Sequence, residues 1–74
     1  MEIDKIETEL TEIFNTMNIP LQRRNISAKK DNLQEVSDRQ HNLLWLIRNL
    51  VFQNSAHPKF ERAMYCIKTL LTNN

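Results

Sequence analysis

Glycine is absent from this sequence of 74 residues. Loops that cradle phosphate groups need glycine where the backbone approaches the ligand closely, so a nucleotide-binding loop of that kind is excluded. Tight two-residue hairpins also prefer glycine, because their central residues adopt positive φ. The absence of glycine therefore disfavours a sheet of hairpins and favours a helical chain.

Cysteine is almost as scarce, since Cys66 is the one cysteine in the sequence. A single cysteine excludes an internal disulfide and a zinc site built from several cysteines. Domains of this size bury only about 60% of their unfolded surface, and they often depend on disulfides, metals or oligomerisation. Oligomerisation or partner binding is therefore the support still open to this chain. We expect Cys66 itself to be a buried structural residue beside the apolar stripe of the last helix.

No apolar run approaches the roughly 20 residues that span a bilayer. The first residues include Glu2 and Asp4, and no apolar segment of the secretory type follows them. A lone free cysteine fits a reducing compartment. Together these features predict a cytoplasmic protein that does not associate with membranes.

Neither sign of charge is in large excess, because the net charge is +1. The charge is unevenly distributed, however: acids dominate residues 1–17 and bases dominate the rest of the chain. The simplest interpretation is that the acidic first segment faces basic groups of the same chain. The acids of this segment lie off its apolar arc and are expected on a solvated face: Glu2, Asp4, Glu7, Glu9 and Glu12.

Three segments carry apolar residues at the three- and four-residue spacing of helices that bury one face. They cover about residues 2–17, 33–53 and 58–71. The connection between the last two is short, so we expect these two helices to be antiparallel neighbours. The sequence predicts a single all-α domain over residues 1–74, either a small three-helix bundle or an open three-helix array with a long central helix.

Local signals mark the ends of these helices. Pro20 follows the first helix, and the residue before a proline is pushed out of the helical region. Asn32 and Glu35 have the spacing of a capping box at the start of the second helix, and Pro58 suits the first position of the third. The connection over residues 18–31 is long for a helix–helix loop, and it has room for a short extra turn starting at Pro20.

The second helix is apolar on more than one side. Eight of the ten residues from Leu43 to Phe52 are apolar. At about 100° per residue, its buried stripe is predicted to contain Leu33, Val36, Leu43, Leu44, Ile47, Leu50 and Val51, with Leu46 at the margin and Gln40 as a polar residue in the middle. The nearly opposite side carries His41, Trp45, Arg48 and Phe52. A surface helix usually has one apolar stripe, so something must cover the second side.

Aromatic residues together with arginine are the composition of an interface core. We therefore predict that His41, Trp45, Arg48 and Phe52 bind a protein, either a second copy of this chain or a larger partner. One alternative is that apolar residues of the connection cover the two aromatic rings within the same chain, namely Ile19, Leu21 and Ile26. A third possibility is simple exposure, which is common for isolated aromatic residues.

A basic stretch lies in the first connection, where four bases occur within eight residues: Arg23, Arg24, Lys29 and Lys30. A basic loop can contact phosphates. No aromatic residue is interleaved for stacking on bases, and no nucleic-acid-binding motif is recognisable. A nucleic-acid-associated regulator is therefore the alternative function, while the simpler interpretation is a solvated loop or one that faces the acidic first helix.

No combination of residues in this sequence indicates catalysis. His57 has no second ligand near it in the sequence, so we expect no metal site. A chain of three helices rarely encloses a ligand pocket of several hundred Å³. We expect no enzymatic activity, no cofactor and no small-molecule substrate. The predicted function is that of a small protein–protein interaction module, acting as an adaptor, regulator or inhibitor.

Overall fold

The computed structural model of the protein describes residues 2–72. These residues form three helices and a short 3₁₀ turn, which are α1 (Glu2–Thr16), the turn (Arg23–Asn25), α2 (Leu33–Gln53) and α3 (Phe60–Thr72). The described part of the chain contains no strand. The predicted all-α fold is confirmed, and the extra turn expected in the first connection is present, although it starts at Arg23 and not at Pro20.

Helix α1 ends in a motif that usually contains glycine. Asn18 has φ of 60°, and its N–H donates to the carbonyl of Asn15 at 3.1 Å, while the N–H of Ile19 donates to the carbonyl of Phe14 at 3.0 Å. This pair of hydrogen bonds defines a Schellman motif, in which one residue is left-handed. Asparagine tolerates that conformation better than most residues, and it fills the position in a chain without glycine.

The start of α2 resembles the capping box whose spacing the sequence contains, although the Glu35 carboxylate does not accept from the Asn32 main-chain N–H. The side-chain oxygen of Asn32 accepts a hydrogen bond from the N–H of Glu35 at 2.9 Å. In return, the Glu35 carboxylate accepts from the side-chain amide of Asn32 and from the N–H of Asp31, both at 3.4 Å. These bonds satisfy donors that would otherwise be unpaired at the helix end.

Helix α3 begins at Phe60, two residues after the predicted start at Pro58. Pro58 lies in the preceding turn, where the N–H of Lys59 donates to Nδ1 of His57 and the N–H of Phe60 donates to the His57 carbonyl, both at 3.0 Å. The first bond of the helical pattern joins the N–H of Ala63 to the carbonyl of Lys59 at 2.9 Å. The His57 imidazole thus accepts a hydrogen bond from a main-chain donor of this turn.

Helices α1 and α2 both run antiparallel to α3. The first half of α2 meets the end of α3, because Nη2 of Arg39 donates to the carbonyl of Leu70 at 3.0 Å. Between α1 and α3, one groove brings Thr16 beside Lys59, and another brings Glu2 beside Thr69. It follows that α1 and α2 are parallel to each other.

The parallel arrangement explains the long first connection. The chain leaves α1 at its carboxyl end and returns to the amino half of that helix, where Arg23 pairs with Asp4 at 3.1 Å. Twelve residues of helix separate Thr16 from Asp4, which is about 18 Å. Six extended residues span about 20 Å, so the segment from Met17 to Gln22 has just enough length to make this return.

Helix α3 lies between the other two helices. No Cα atom of α1 lies within 8 Å of one of α2, whereas both helices approach α3. The architecture is therefore the open three-helix array, and α2 is central in the sequence but peripheral in space. All three helices and one residue of the connection contribute to a single core, which contains Leu10, Ile13, Phe14, Ile26, Leu43, Leu46, Leu50, Ala63, Cys66, Ile67 and Leu70.

The predicted buried stripe of α2 is correct for Leu43 and Leu50 but displaced around the helix. The side chains of α2 that are buried are those of Arg39, Leu43, Leu46 and Leu50. Three predicted members of the stripe are exposed, namely Leu33, Leu44 and Val51. On a helix with about 100° per residue, the buried arc is rotated by about 70° from the predicted one.

The polar residue inside this arc is also not the predicted one, since Gln40 is exposed and Arg39 is buried. Apolar residues occur around most of the circumference of α2, so periodicity alone left the orientation of the helix undetermined. The side of α2 that is buried is the one that packs against α3 and the first connection.

Candidate functional site

Helix α2 leaves several large apolar side chains in contact with solvent. Leu33 is 88% exposed, Phe52 is 74% exposed and Trp45 is 56% exposed, while Leu44 and Val51 are about half exposed. Among the described residues, the one other large apolar side chain with comparable exposure is Tyr65 of α3. Unpartnered apolar surface is therefore concentrated on a single helix.

These side chains share one side of α2. At about 100° per residue, the positions from Val51 to Trp45 fall within an arc of about 120°, away from the buried arc. We call this surface the α2 face, and it comprises Leu33, His41, Leu44, Trp45, Arg48, Val51 and Phe52. The predicted aromatic side and the misassigned residues Leu44 and Val51 thus belong to one surface.

The carboxyl-terminal half of the α2 face combines two aromatic rings with a cation. The guanidinium carbon of Arg48 lies 5.8 Å from the centroid of the Phe52 ring, which is within the range of a cation–π interaction. Trp45, Arg48 and Phe52 line one shallow depression with a volume of about 160 Å³. The structure therefore brings together three of the four predicted partner-binding residues, and His41 lies exposed one turn before Trp45.

The connection does not cover the aromatic rings, so the alternative of internal covering is wrong. Ile26 is fully buried in the core, and its carbonyl accepts a hydrogen bond from Nε of Arg39 at 3.0 Å. Ile19 and Leu21 are half-buried against the same core. Because the connection returns along α1 and reaches the first half of α2, it leaves Trp45 and Phe52 uncovered.

The four bases of the first connection have different environments. Nη2 of Arg23 lies 3.1 Å from Oδ1 of Asp4, and Nε of Arg23 donates to Oε1 of Glu7 at 3.2 Å. Arg23 therefore faces the acidic first helix, as the simpler interpretation predicted. Arg24 and Lys29 are exposed, and Nζ of Lys30 donates to the carbonyl of Arg24.

Glu7 is not on a solvated face, and this part of the sequence interpretation is wrong. Its side chain is buried, and Oε2 accepts a hydrogen bond from the N–H of Ala28 at 2.8 Å, while Oε1 is the partner of Arg23. Glu7 lies only about 20° from Phe14 on the helical wheel, so it borders the apolar arc of α1. The returning connection covers that border and supplies both donors.

Arg39 is a buried cation that sequence reasoning missed. It is 2% exposed, and its guanidinium donates to the main-chain carbonyls of Ile26 and Leu70, each at 3.0 Å. Burial lowers the pKa of Arg39, and the nearby Glu7 charge acts in the opposite direction. On a helical wheel, Arg39 lies within the arc formed by Leu43, Leu46 and Leu50. A correct assignment of the buried arc would therefore have predicted that Arg39 is buried.

A second charged cluster joins α1 to α3. Arg62 makes a bidentate contact with Glu9, in which Nη2 and Oε1 are 2.7 Å apart, and its guanidinium carbon lies 4.8 Å from the Tyr65 ring centroid. The hydrogen bond from Arg62 lowers the pKa of Glu9, and the same bond raises the pKa of Arg62. These three side chains form part of the lining of a groove of about 280 Å³.

Within residues 2–72, no three His, Cys, Asp or Glu side chains come together in a way that would hold a metal ion. None of the helices described here has the length and apolar character needed to cross a membrane. Comparison of the chain with protein-family models, curated proteins and solved structures finds no match.

Proposed function

We propose that this protein is a small protein–protein interaction module, acting as an adaptor, regulator or inhibitor, and that it binds through the α2 face. The observation that carries the proposal is the concentration of exposed apolar side chains on one side of one helix. Single exposed apolar residues are normal on soluble proteins, but contiguous apolar patches are frequently interaction sites. The proposed setting is the cytoplasm, where a free thiol such as that of Cys66 stays reduced.

Trp45 and Phe52 are the proposed anchors of this interaction. They are seven residues apart, so two helical turns, or about 10.5 Å, separate them along one side of α2. Arg48 lies between them and keeps its charge at the rim while its side chain packs on the Phe52 ring. Truncation of a buried aromatic anchor of this kind can cost about 2 kcal/mol or more of binding free energy.

The opposite side of α2 supports the proposal because it fixes the helix in place. Leu43, Leu46 and Leu50 pack in the core, and Arg39 links the first half of the helix to the end of α3. A binding surface on a rigid element loses little conformational entropy when a partner binds. The α2 face is thus presented in one orientation.

The proposal is tested by using the protein as bait and quantifying what it retains by mass spectrometry, including an untagged copy of itself. The informative variant is Trp45→Ser with Phe52→Ser. Its matched control is Tyr65→Ser, which removes an exposed aromatic ring from α3. We expect the wild-type protein and the control to retain the same partners and the double variant to lose them. Equal retention by the double variant would show that the α2 face does not carry the interaction.

The alternative proposal, a nucleic-acid-associated regulator, rests on the basic connection and has less support. Arg23 is occupied by Asp4 and Glu7, which leaves Arg24, Lys29 and Lys30 as possible phosphate contacts. Basic side chains without aromatic residues for base stacking bind nucleic acid weakly, and this binding is sensitive to salt.

A further inference from the structure

We propose that the occupant of the α2 face is the same face of a second copy of this chain, with the two α2 helices antiparallel about a two-fold axis. This inference rests on the proposed function and specifies the partner of that site. A symmetric pair buries the same patch on both copies, so the patch must be complementary to itself. The charges and the apolar residues of α2 meet this requirement.

The charges beside the α2 face favour the antiparallel direction. Asp38 borders the face near the start of α2, and Arg48 lies on the face ten residues later. A parallel pair would place each of these charges next to its own copy, which is repulsive. In an antiparallel pair centred at the level of Leu43, Asp38 of each chain faces Arg48 of the other. The contact forms twice because of the symmetry.

The same centre also pairs the apolar residues. It places Trp45 of one chain opposite His41 of the other, and it brings Leu33 near Val51 of the second copy. Among the described residues, Leu33 is the most exposed large apolar side chain, and it lies eight residues, or more than two helical turns, before the next member of the α2 face, His41. A copy that covers the full length of α2, about 32 Å for 21 residues, accounts for Leu33 as well as for the aromatic rings.

The open architecture favours a second copy over a foreign partner. Helix α2 packs against α3 and the connection, and its outer side has no neighbour in the described chain. A domain of this size has a marginal core and commonly depends on disulfides, metals or oligomerisation. The single cysteine of the sequence cannot form an internal disulfide. Pairing of the α2 helices would instead stabilise the fold by burying apolar surface that α2 now exposes.

Sedimentation equilibrium of the complete chain, with charge-reversal variants, tests this arrangement. Asp38→Arg and Arg48→Asp each convert both symmetric contacts from attraction to repulsion, and we expect either change to weaken the dimer by about tenfold or more. Combining both changes in one chain restores the pairing. Mixing the two single variants gives a heterodimer, because one chain then presents two bases and the other two acids.

Two matched controls carry the same charge changes away from the α2 face. Glu12→Arg on α1 and Lys68→Asp on α3 alter exposed residues, and they should leave the dissociation constant unchanged. Trp45 is the one tryptophan in the sequence, so its emission should shift to shorter wavelength as the concentration rises and the dimer forms. Circular dichroism of each variant verifies that the helices are retained.

A wild-type chain that stays monomeric over the whole concentration range would overturn the second-copy inference. The antiparallel register would be overturned if the charge reversals left the dissociation constant of the dimer unchanged. It would also be overturned if the two single variants failed to pair when mixed. Failure of the proposed function is a separate result. A monomeric chain that retains a foreign protein through Trp45 and Phe52 keeps the proposed function and rejects the second copy, whereas unchanged retention by the double serine variant rejects the proposed function.

Discussion

Nη2 of Arg39 in α2 donates a hydrogen bond to the main-chain carbonyl of Leu70 in α3, across 3.0 Å. Leu70 is in the last turn of α3, where carbonyl groups have no partner within the helix. A cation is also favourable there because the carboxyl end of a helix carries partial negative charge. Since Nε of the same guanidinium donates to the carbonyl of Ile26, Arg39 joins α2, α3 and the first connection.

Replacing this buried guanidinium should therefore destabilise the fold. We expect Arg39→Met to lower the free energy of unfolding by about 2 kcal/mol, because two buried carbonyls lose a donor and each such loss costs about 1–3 kcal/mol, offset in part by relief of the buried charge. Urea unfolding followed by circular dichroism measures the change. The control Arg24→Met removes an exposed guanidinium and should have little effect. Equal stabilities of the two variants would contradict the structural role of Arg39.

Glu7 should be more important for stability than the other acids of α1. Glu7→Gln weakens the contact with Arg23 and converts one acceptor oxygen into a donor, so we expect a loss of about 1–3 kcal/mol. Glu12→Gln is the matched control, because Glu12 is exposed on the same helix. Hydrogen exchange of the Ala28 amide provides a second measurement, since the Glu7 carboxylate accepts its bond. Exchange at an unchanged rate in Glu7→Gln would be inconsistent with this contact.

The Arg62–Glu9 pair predicts a specific dependence of stability on pH. The hydrogen bond from Arg62 holds the pKa of Glu9 below its ordinary value of 4.5. On acidification the unfolded chain therefore takes up this proton before the folded chain does. The contribution of the pair is complete above pH 4.5 and is lost as the pH falls through the lower pKa of the folded state.

Comparison of the wild-type protein with Glu9→Gln measures this contribution. We expect the difference in thermal stability between the two proteins to be constant near neutral pH and to shrink below pH 4.5. Because both side chains are partly exposed, added salt should reduce the difference as well. A difference that grows on acidification would have the wrong sign for a carboxylate with a lowered pKa.

The thiol of Cys66 should be unreactive while the protein is folded. Its side chain is fully buried, and burial raises its pKa; the charge of Glu9 raises it further, while the charge of Arg62 acts in the opposite direction. Thiolate is the reactive form, so we expect modification by a disulfide reagent at pH 8 to be at least about a hundredfold slower than in denaturant, limited by opening of the core. Rates that are similar in both conditions would place Cys66 at the surface.

The basic connection should bind nucleic acid weakly, if at all. Arg23 is held by α1, so at most three phosphate contacts remain, and they would give a slope of log K against log salt of about −2.7 on duplex DNA. A gel shift at low and physiological salt is the measurement, with Arg24, Lys29 and Lys30 changed to Gln as the comparison. We expect no binding above background at physiological salt. Tight binding that survives at that salt concentration would favour the nucleic-acid function over the protein-binding one.

The helices themselves follow from short-range features of the sequence. The spacing of apolar residues predicted all three, and α2 has the predicted bounds, Leu33–Gln53. The capping box of Asn32 and Glu35 forms within four residues of chain, so its geometry depends little on the rest of the protein. The apolar residues on a second side of α2 were also evident from the sequence, but whether the connection covers Trp45 and Phe52 was left open, and the structure shows both rings exposed.

Tertiary structure alone decided which side of α2 is buried and what the charged residues do. Apolar residues surround most of that helix, so its orientation was set by the surface of α3 and by the length of the returning connection. The partners of Arg39 are 13 and 31 residues away, and Glu7 is bound by groups 16 and 21 residues away. Such contacts exist only after the chain has folded back on itself, because neither periodicity nor local spacing specifies which distant groups will meet.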